Sequence, residues 1–175
     1  DLAWWANCLG ITGSPFDSFL TLRGIRTLEP RMRIHLENAD AVLHCLTMHP
    51  AVSRVYYPGL STHVGHRIAA LQQDGFGAMV SFELHAGIVG VERFVESLRY
   101  FTLAESLGGV ESLVAHPATM THASMDADAR ATAGITDSLL RLSVGIEHAD
   151  DLVEDLTIAL DLTVPESLEL SVSGQ

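Results

Sequence analysis

The stretch LAESLGGVESLVAHPATMTH (residues 103–122) places a carboxylate (Glu105), a hydroxyl (Ser106), adjacent glycines (Gly108, Gly109), an X-Pro step (His116-Pro117) and a Thr-His pair (Thr121, His122) within twenty residues. Short strands are predicted at 101–103 and 111–115, with a polar loop between them. The flanking Leu, Val and Ala predict that the stretch is mostly buried. A buried polar loop must satisfy its donors and acceptors internally or with a ligand. Gly-Gly lets backbone approach a neighbour closely, since no side chain intervenes.

Outward from this stretch the chain alternates strands and helices. LLRLSVG (139–145) reads as a strand with Leu140 and Leu142 on one face and Arg141 and Ser143 on the other. Ala78, Val80, Phe82 and Leu84 alternate with Met79, Ser81, Glu83 and His85, a half-buried strand. Val52 to Tyr57 is a further strand. Helices are predicted at 63–73, around Val91–Leu98, at 126–133 and at 150–162, the last burying Leu152, Val153, Leu156, Ala159 and Leu160. Upstream, residues 1–10 read as a helix closed by Gly10, with Trp4 and Trp5 as packing anchors. Phe16 to Arg23 reads as a short helix capped by Gly24. A long helix starts with Thr27 as N-cap and ends before Pro50; its buried stripe is expected to be Leu28, Met32, Leu36, Ala39, Leu43 and Leu46. The pattern is a layered α/β sandwich. The tail from Thr163 is expected to be loose.

The chain has 175 residues, 47% hydrophobic, with mean hydropathy +0.24, enough to bury a core. Its net charge of −12, from 22 acidic and 10 basic residues, disfavours a nucleic-acid partner, because phosphate binding needs a basic footprint. Cys8 and Cys45 form no CxxC pair, which fits a reducing compartment, and no apolar run has membrane-spanning length. All ten basic residues are arginines; lysine is absent.

Arg141 is the strongest single candidate. An arginine at mid-strand between leucines needs an anion, since burying it unpaired is costly. A structural ion pair and a ligand carboxylate both meet that need. Ser106 has no GxSxG elbow around it, so a loop cap competes with any nucleophilic role. Thr121 reads as a buried hydroxyl bonded to backbone, and Glu105 as a solvated or salt-bridged acid. Nine histidines invite a metal, and His63 and His66 have i, i+3 spacing on the predicted helix. However, HExxH and converging cysteines are absent. His116 and His122 read as packed or hydrogen-bonded loop residues. Arg23, Arg26, Arg31 and Arg33 read as a solvated face or an intersubunit contact. Asp126 and Asp128 lack the remaining ligands of a calcium loop.

Three ordered motifs, ESLGGVESL (105–113), PATMTHASM (117–125) and ITDSLLRLSVGIE (135–147), carry a resemblance, and the opening WWANCLGITGSPFDSFLTLRGIRTLEPRM (4–32) supports it. Together they resemble the Cys/Met-metabolism enzymes that use pyridoxal phosphate (PLP), over about residues 1–162. The resemblance implies the C-terminal part of a fold-type I PLP enzyme, a long linking helix followed by a small sheet covered by helices. It implies the end of the cofactor domain and the linking helix at 1–49, a substrate domain at 50–162 and a tail at 163–175.

The resemblance also assigns roles. Arg141 would clamp the α-carboxylate of an amino-acid substrate, with Ser106 and Leu107 helping to hold it and Thr121 supporting the arginine. A guanidinium fork fits a carboxylate bidentately. Glu105 resembles the marker of the branch that acts on cystathionine, and could bind the ammonium of a second substrate. The activity implied is γ-replacement of O-succinylhomoserine (or O-acetylhomoserine) by cysteine to give cystathionine, in methionine biosynthesis in the cytoplasm. A γ-lyase of the same family is one alternative; a non-enzymatic α/β binding module, with Arg141 in an internal ion pair, is another. Such enzymes hold PLP as an imine with a lysine. A lysine-free chain that starts at Asp1 rather than Met is therefore expected to be inactive alone. Its expected partner is the N-terminal part of the same enzyme, covalent or as a separate chain, in a homotetramer.

Overall fold

In the computed structural model, which describes residues 1–11 and 13–165, the first elements are set by local capping. Helix α1 (Leu2–Leu9) stops at Gly10, whose φ of 66° is the left-handed cap conformation. Helix α2 (Pro15–Arg26) starts where the Ser14 hydroxyl accepts the Asp17 amide at 3.1 Å, with Pro15 in the first turn. It runs straight through Gly24, the expected cap, and ends at Thr27. The Thr27 hydroxyl donates back to the Gly24 carbonyl, so it closes α2 and does not cap the long helix α3 (Leu28–Met48). No residue of α1 or α2 is buried. Trp4 and Trp5, expected as packing anchors, are 59% and 56% exposed and meet each other edge to face.

The chain divides into two compact units, Asp1–Arg33 and the residues from Ile34 onward. In the second unit the buried face of α3 is His35, Asn38, Ala39, Val42 and Leu46. This corrects the expected stripe: Val42 takes the place of Leu43, and two polar side chains join the buried face. They are tolerated because each reaches a carbonyl. His35 Nδ1 donates to Val144 O at 2.7 Å, and Asn38 Nδ2 donates to the carbonyls of Gly145 and Glu147 at 3.0 and 2.8 Å.

The remaining elements are β1 (Val52–Tyr56), α4 (His66–Gln72), β2 (Met79–Leu84), α5 (Gly87–Ser97), β3 (Thr102–Leu103), β4 (Leu113–Ala115), α6 (Ala127–Thr132), β5 (Leu139–Ser143) and α7 (Ala149–Asp161). The strands form one sheet in the order β1-β2-β5-β4-β3, antiparallel except for the β3–β4 pair. Val80 and Phe82 sit opposite Leu142 and Leu140, and Val114 flanks Leu142 on the other side. All five are fully buried, in one core with Val42 and Leu46 of α3, Phe94 of α5 and Leu152, Leu156 and Leu160 of α7. Burying each such side chain contributes roughly 1.5–3 kcal/mol, so this face fixes the register of β5. Alternation then sends Arg141 and Ser143 to the opposite face.

Asp155, which apolar periodicity does not single out, is buried in α7 and accepts the amides of Arg99, Tyr100 and Phe101, pinning the entry to β3. Helix α4 begins at His66, so His63 precedes it and the i, i+3 pair is not helical. His66 Nδ1 donates to Pro58 O at 2.8 Å and its ring stacks on Phe76. Among the described residues no three His, Cys, Asp or Glu side chains converge as a metal set, and no helix is long and apolar enough to cross a membrane. The expected loose tail begins differently: Thr163 is buried and its hydroxyl donates to Leu160 O. Residues 166–175 lie outside the described residues.

Candidate functional site

The polar face of β5 carries the site. Arg141 lies between Ser81 of β2 and Ala115 of β4, two small side chains that leave room for a guanidinium. Its Nη2 donates to the carbonyls of Glu105 and Ser106, at 2.9 and 3.3 Å. Its Nε is buried with no hydrogen-bond partner among the described residues. Among the described residues no carboxylate pairs with it, so the internal ion pair, one of the two sequence readings, is not formed there. An orphaned buried donor costs about 1–3 kcal/mol, and Nη1, unpartnered among the described residues and not buried, is the donor of the fork left for a carboxylate.

Residues 103–122 divide into two parts with different burial. Residues 112–118 are buried as expected, but residues 105–108 are exposed, which corrects the prediction of a mostly buried stretch. The turn at Gly108 has φ 74°, where a side chain is strained. Gly108 N–H donates to Ser143 Oγ at 2.9 Å. The Glu105 carboxylate has no partner among the described residues, the Ser106 hydroxyl points to none, and Leu107 is 55% exposed. Glu105, Ser106 and Arg141 are thus brought together through backbone carbonyls. Thr121 is not: its hydroxyl meets His122 Nδ1 at 2.7 Å and makes no bond to Arg141. His116 is buried and satisfied, with Nδ1 on the Thr119 hydroxyl and Nε2 on the Asp137 carbonyl.

A second set of residues frames the loop and was missed in the sequence. Glu147 accepts the Ser112 amide at 2.6 Å and the Ser112 hydroxyl at 2.8 Å. Ser112 Oγ in turn accepts the Gly145 amide at 2.8 Å, and Ile146 N–H reaches Val110 O at 2.9 Å. This ties the exit of the glycine loop to the end of β5. Gly145 has to be glycine, because a Cβ there would press on Val110 O and lie 2.6 Å from Ser112 N, both backbone atoms. One available signal was the placement of polar His35 and Asn38 at helical spacing beside apolar Ala39, Val42 and Leu46, a pattern that demands buried acceptors.

The model of the Cys/Met metabolism PLP-dependent enzyme family matches residues 1–161. A cystathionine gamma-synthase of Escherichia coli K12 is 56% identical over 89% of this chain and 40% of its own length. A cystathionine beta-lyase of Lactococcus lactis subsp. cremoris is 52% identical over 92% of this chain and 42% of its own. The crystal structure of cystathionine gamma synthase from Xanthomonas oryzae pv. oryzae, in complex with aminoacrylate and cysteine, superposes with TM-score 0.85 at 66% identity. It covers 91% of this chain, which in turn covers 41% of that one. The chain therefore spans about two fifths of the length of the relatives it matches, and its mixed sheet and helices have the fold of part of a fold-type I PLP enzyme. On the family match over residues 1–161 and these identities, the chain belongs to the Cys/Met metabolism family of PLP-dependent enzymes.

Proposed function

We propose that this chain is the C-terminal, substrate-holding portion of a cystathionine γ-synthase, which replaces the γ-acyloxy group of O-succinylhomoserine or O-acetylhomoserine with the thiol of cysteine. The observation that carries this reading is the buried, unpartnered Nε of Arg141 beside an exposed loop. Membership of the family implies PLP, but the residues of this chain do not fit as its covalent holder, because none is a lysine. The chain's part is therefore confined to the substrate, and cofactor binding falls to the N-terminal part of the same enzyme, within a homotetramer.

Arg141 does this work with the donors its loop leaves free. Nη2 is held by two carbonyls, which fixes the plane of the guanidinium, and Nη1, which has no partner among the described residues and is not buried, stays available to an α-carboxylate. Gripping one end of a small amino acid orients the bonds at its α-carbon, an effect that can supply several kcal/mol of barrier lowering. Ser106 and Leu107 border the carboxylate. Glu105, whose carboxylate is exposed and unpaired among the described residues, is available for the ammonium group of the second amino acid.

The test is Arg141→Ala and Arg141→Lys in the intact enzyme. The expected outcome is a KM for the acylated homoserine raised about 100-fold by Ala, the loss of a charge-assisted pair. Lysine rescues only part, since it lacks the fork. Cofactor content stays unchanged. Loss of cofactor with an unaltered KM refutes the assignment. The 52% identity to a β-lyase favours a lyase as the second reading. Incubation with O-succinylhomoserine plus cysteine, against cystathionine alone, separates synthase from γ- or β-lyase by product.

A further inference from the structure

Residues 105–108 are exposed at every position, yet the carbonyls that orient Arg141 come from this loop. An exposed loop does not hold two carbonyls on one nitrogen unless it is itself fixed. On its N-terminal side it is tied by Ala104 N–H to Val114 O at 2.9 Å, and beyond Gly109 by Ile146 N–H to Val110 O. Between those ties the one further backbone bond among the described residues, apart from those to Arg141, is Gly108 N–H to Ser143 Oγ. Ser143 is 2% exposed and stands two residues from Arg141 on the same face of β5. One strand thus provides both the guanidinium and the acceptor that anchors the guanidinium's own support.

We propose that Ser143 is a positioning residue: by holding Gly108 it fixes the Glu105 and Ser106 carbonyls, and through them sets the aim of Arg141 before substrate arrives. This rests on the carboxylate-binding reading given above. The Gly108 amide lies in an exposed loop and can turn to water when Ser143 Oγ is removed, so the loss to folding is small. The loss falls on binding. An arginine freed from its carbonyls must be ordered again when it takes a carboxylate, an ordering cost that corresponds to about a fivefold to tenfold weaker grip.

The experiment combines kinetics with amide exchange, both in the intact enzyme. Ser143→Ala is expected to raise KM for the acylated homoserine about fivefold to tenfold, with kcat within about twofold. In an Arg141→Ala background the same change adds nothing, because Ser143 acts through Arg141. In the intact enzyme, hydrogen–deuterium exchange read by mass spectrometry shows the peptide carrying Gly108 exchanging faster in Ser143→Ala, with the β2 and β5 peptides unchanged. Gly108→Ala approaches the contact from the other side. Its Cβ meets nothing within 4 Å, but φ of 74° strains it, so it raises KM in the same direction. Ser143→Thr, which keeps the oxygen, restores the KM. A wild-type KM in both Ser143→Ala and Gly108→Ala overturns the proposal, as does an equal factor in the two Arg141 backgrounds. If Arg141→Ala itself leaves KM unchanged, the carboxylate-binding reading fails first and this inference falls with it.

Discussion

Replacing Glu147 by alanine removes the one carboxylate among the described residues that joins the glycine loop to the end of β5. Two donors lose their acceptor, the Ser112 amide at 2.6 Å and the Ser112 hydroxyl at 2.8 Å, and Ser112 has no exposed surface. A buried donor left unsatisfied costs about 1–3 kcal/mol, and bonds to a charged group lie toward the top of that range. The hydroxyl can rotate, and Glu147 is only half-buried, so water recovers part of the loss. The expected cost is about 3 kcal/mol, roughly a 100-fold shift in the folding equilibrium. Glu147→Gln is the informative partner. Its amide oxygen still accepts the Ser112 amide, while its NH2 donates to Ser112 Oγ, which already accepts Gly145 N–H. Only the hydroxyl proton is left over, and the expected cost is about 1 kcal/mol. Urea titration of the chain, followed by far-UV circular dichroism and compared at equal slope, reads both variants. If alanine costs less than about 0.5 kcal/mol, or if glutamine costs as much as alanine, the two bonds are not what holds the loop to the strand.

Gly145→Ala is expected to cost about 2–3 kcal/mol, since its Cβ meets backbone atoms that cannot turn aside; Gly65→Ala, whose Cβ would sit 3.4 Å from the His63 ring, stays within about 0.5 kcal/mol in the same titration. Stability should also fall in alkali. Burial, and then the Asp40 carboxylate, push the Tyr57 phenol up to about 12 from an ordinary value of 10.0. The folded chain therefore keeps a proton that the unfolded chain releases. Stability from this group is intact below about pH 10 and declines as pH rises toward 12, by about 2 kcal/mol. Tyr57→Phe removes most of that decline, and an undiminished decline would show that Tyr57 is not its source.

Much of the fold was legible because burial patterns are local. The alternation of Val80, Phe82 and Leu84, the leucines flanking Arg141 and the spacing in α7 each announce their face without reference to the rest of the chain. Element limits failed where capping depends on geometry. Gly24 has the chemistry of a cap but lies inside α2, because the helix continues to Arg26 and Thr27 takes the cap position instead. The face of α3 failed for a tertiary reason: Leu43 and Val42 are adjacent in sequence, and only the acceptors at the end of β5 decide that the side of His35 and Asn38 turns inward.

The family resemblance, the α/β layering, the absence of lysine and the singling out of Arg141 are all properties carried by residue type and short-range period. What Arg141 meets follows instead from the packing of distant segments. That its Nη2 rests on the Glu105 and Ser106 carbonyls, that Nε remains unpaired, and that Ser143, Ser112 and Glu147 hold the loop all depend on segments about 35 residues apart. The pairing of β4 with β5 brings those segments together, and no local pattern encodes which donors a sheet register leaves without an acceptor.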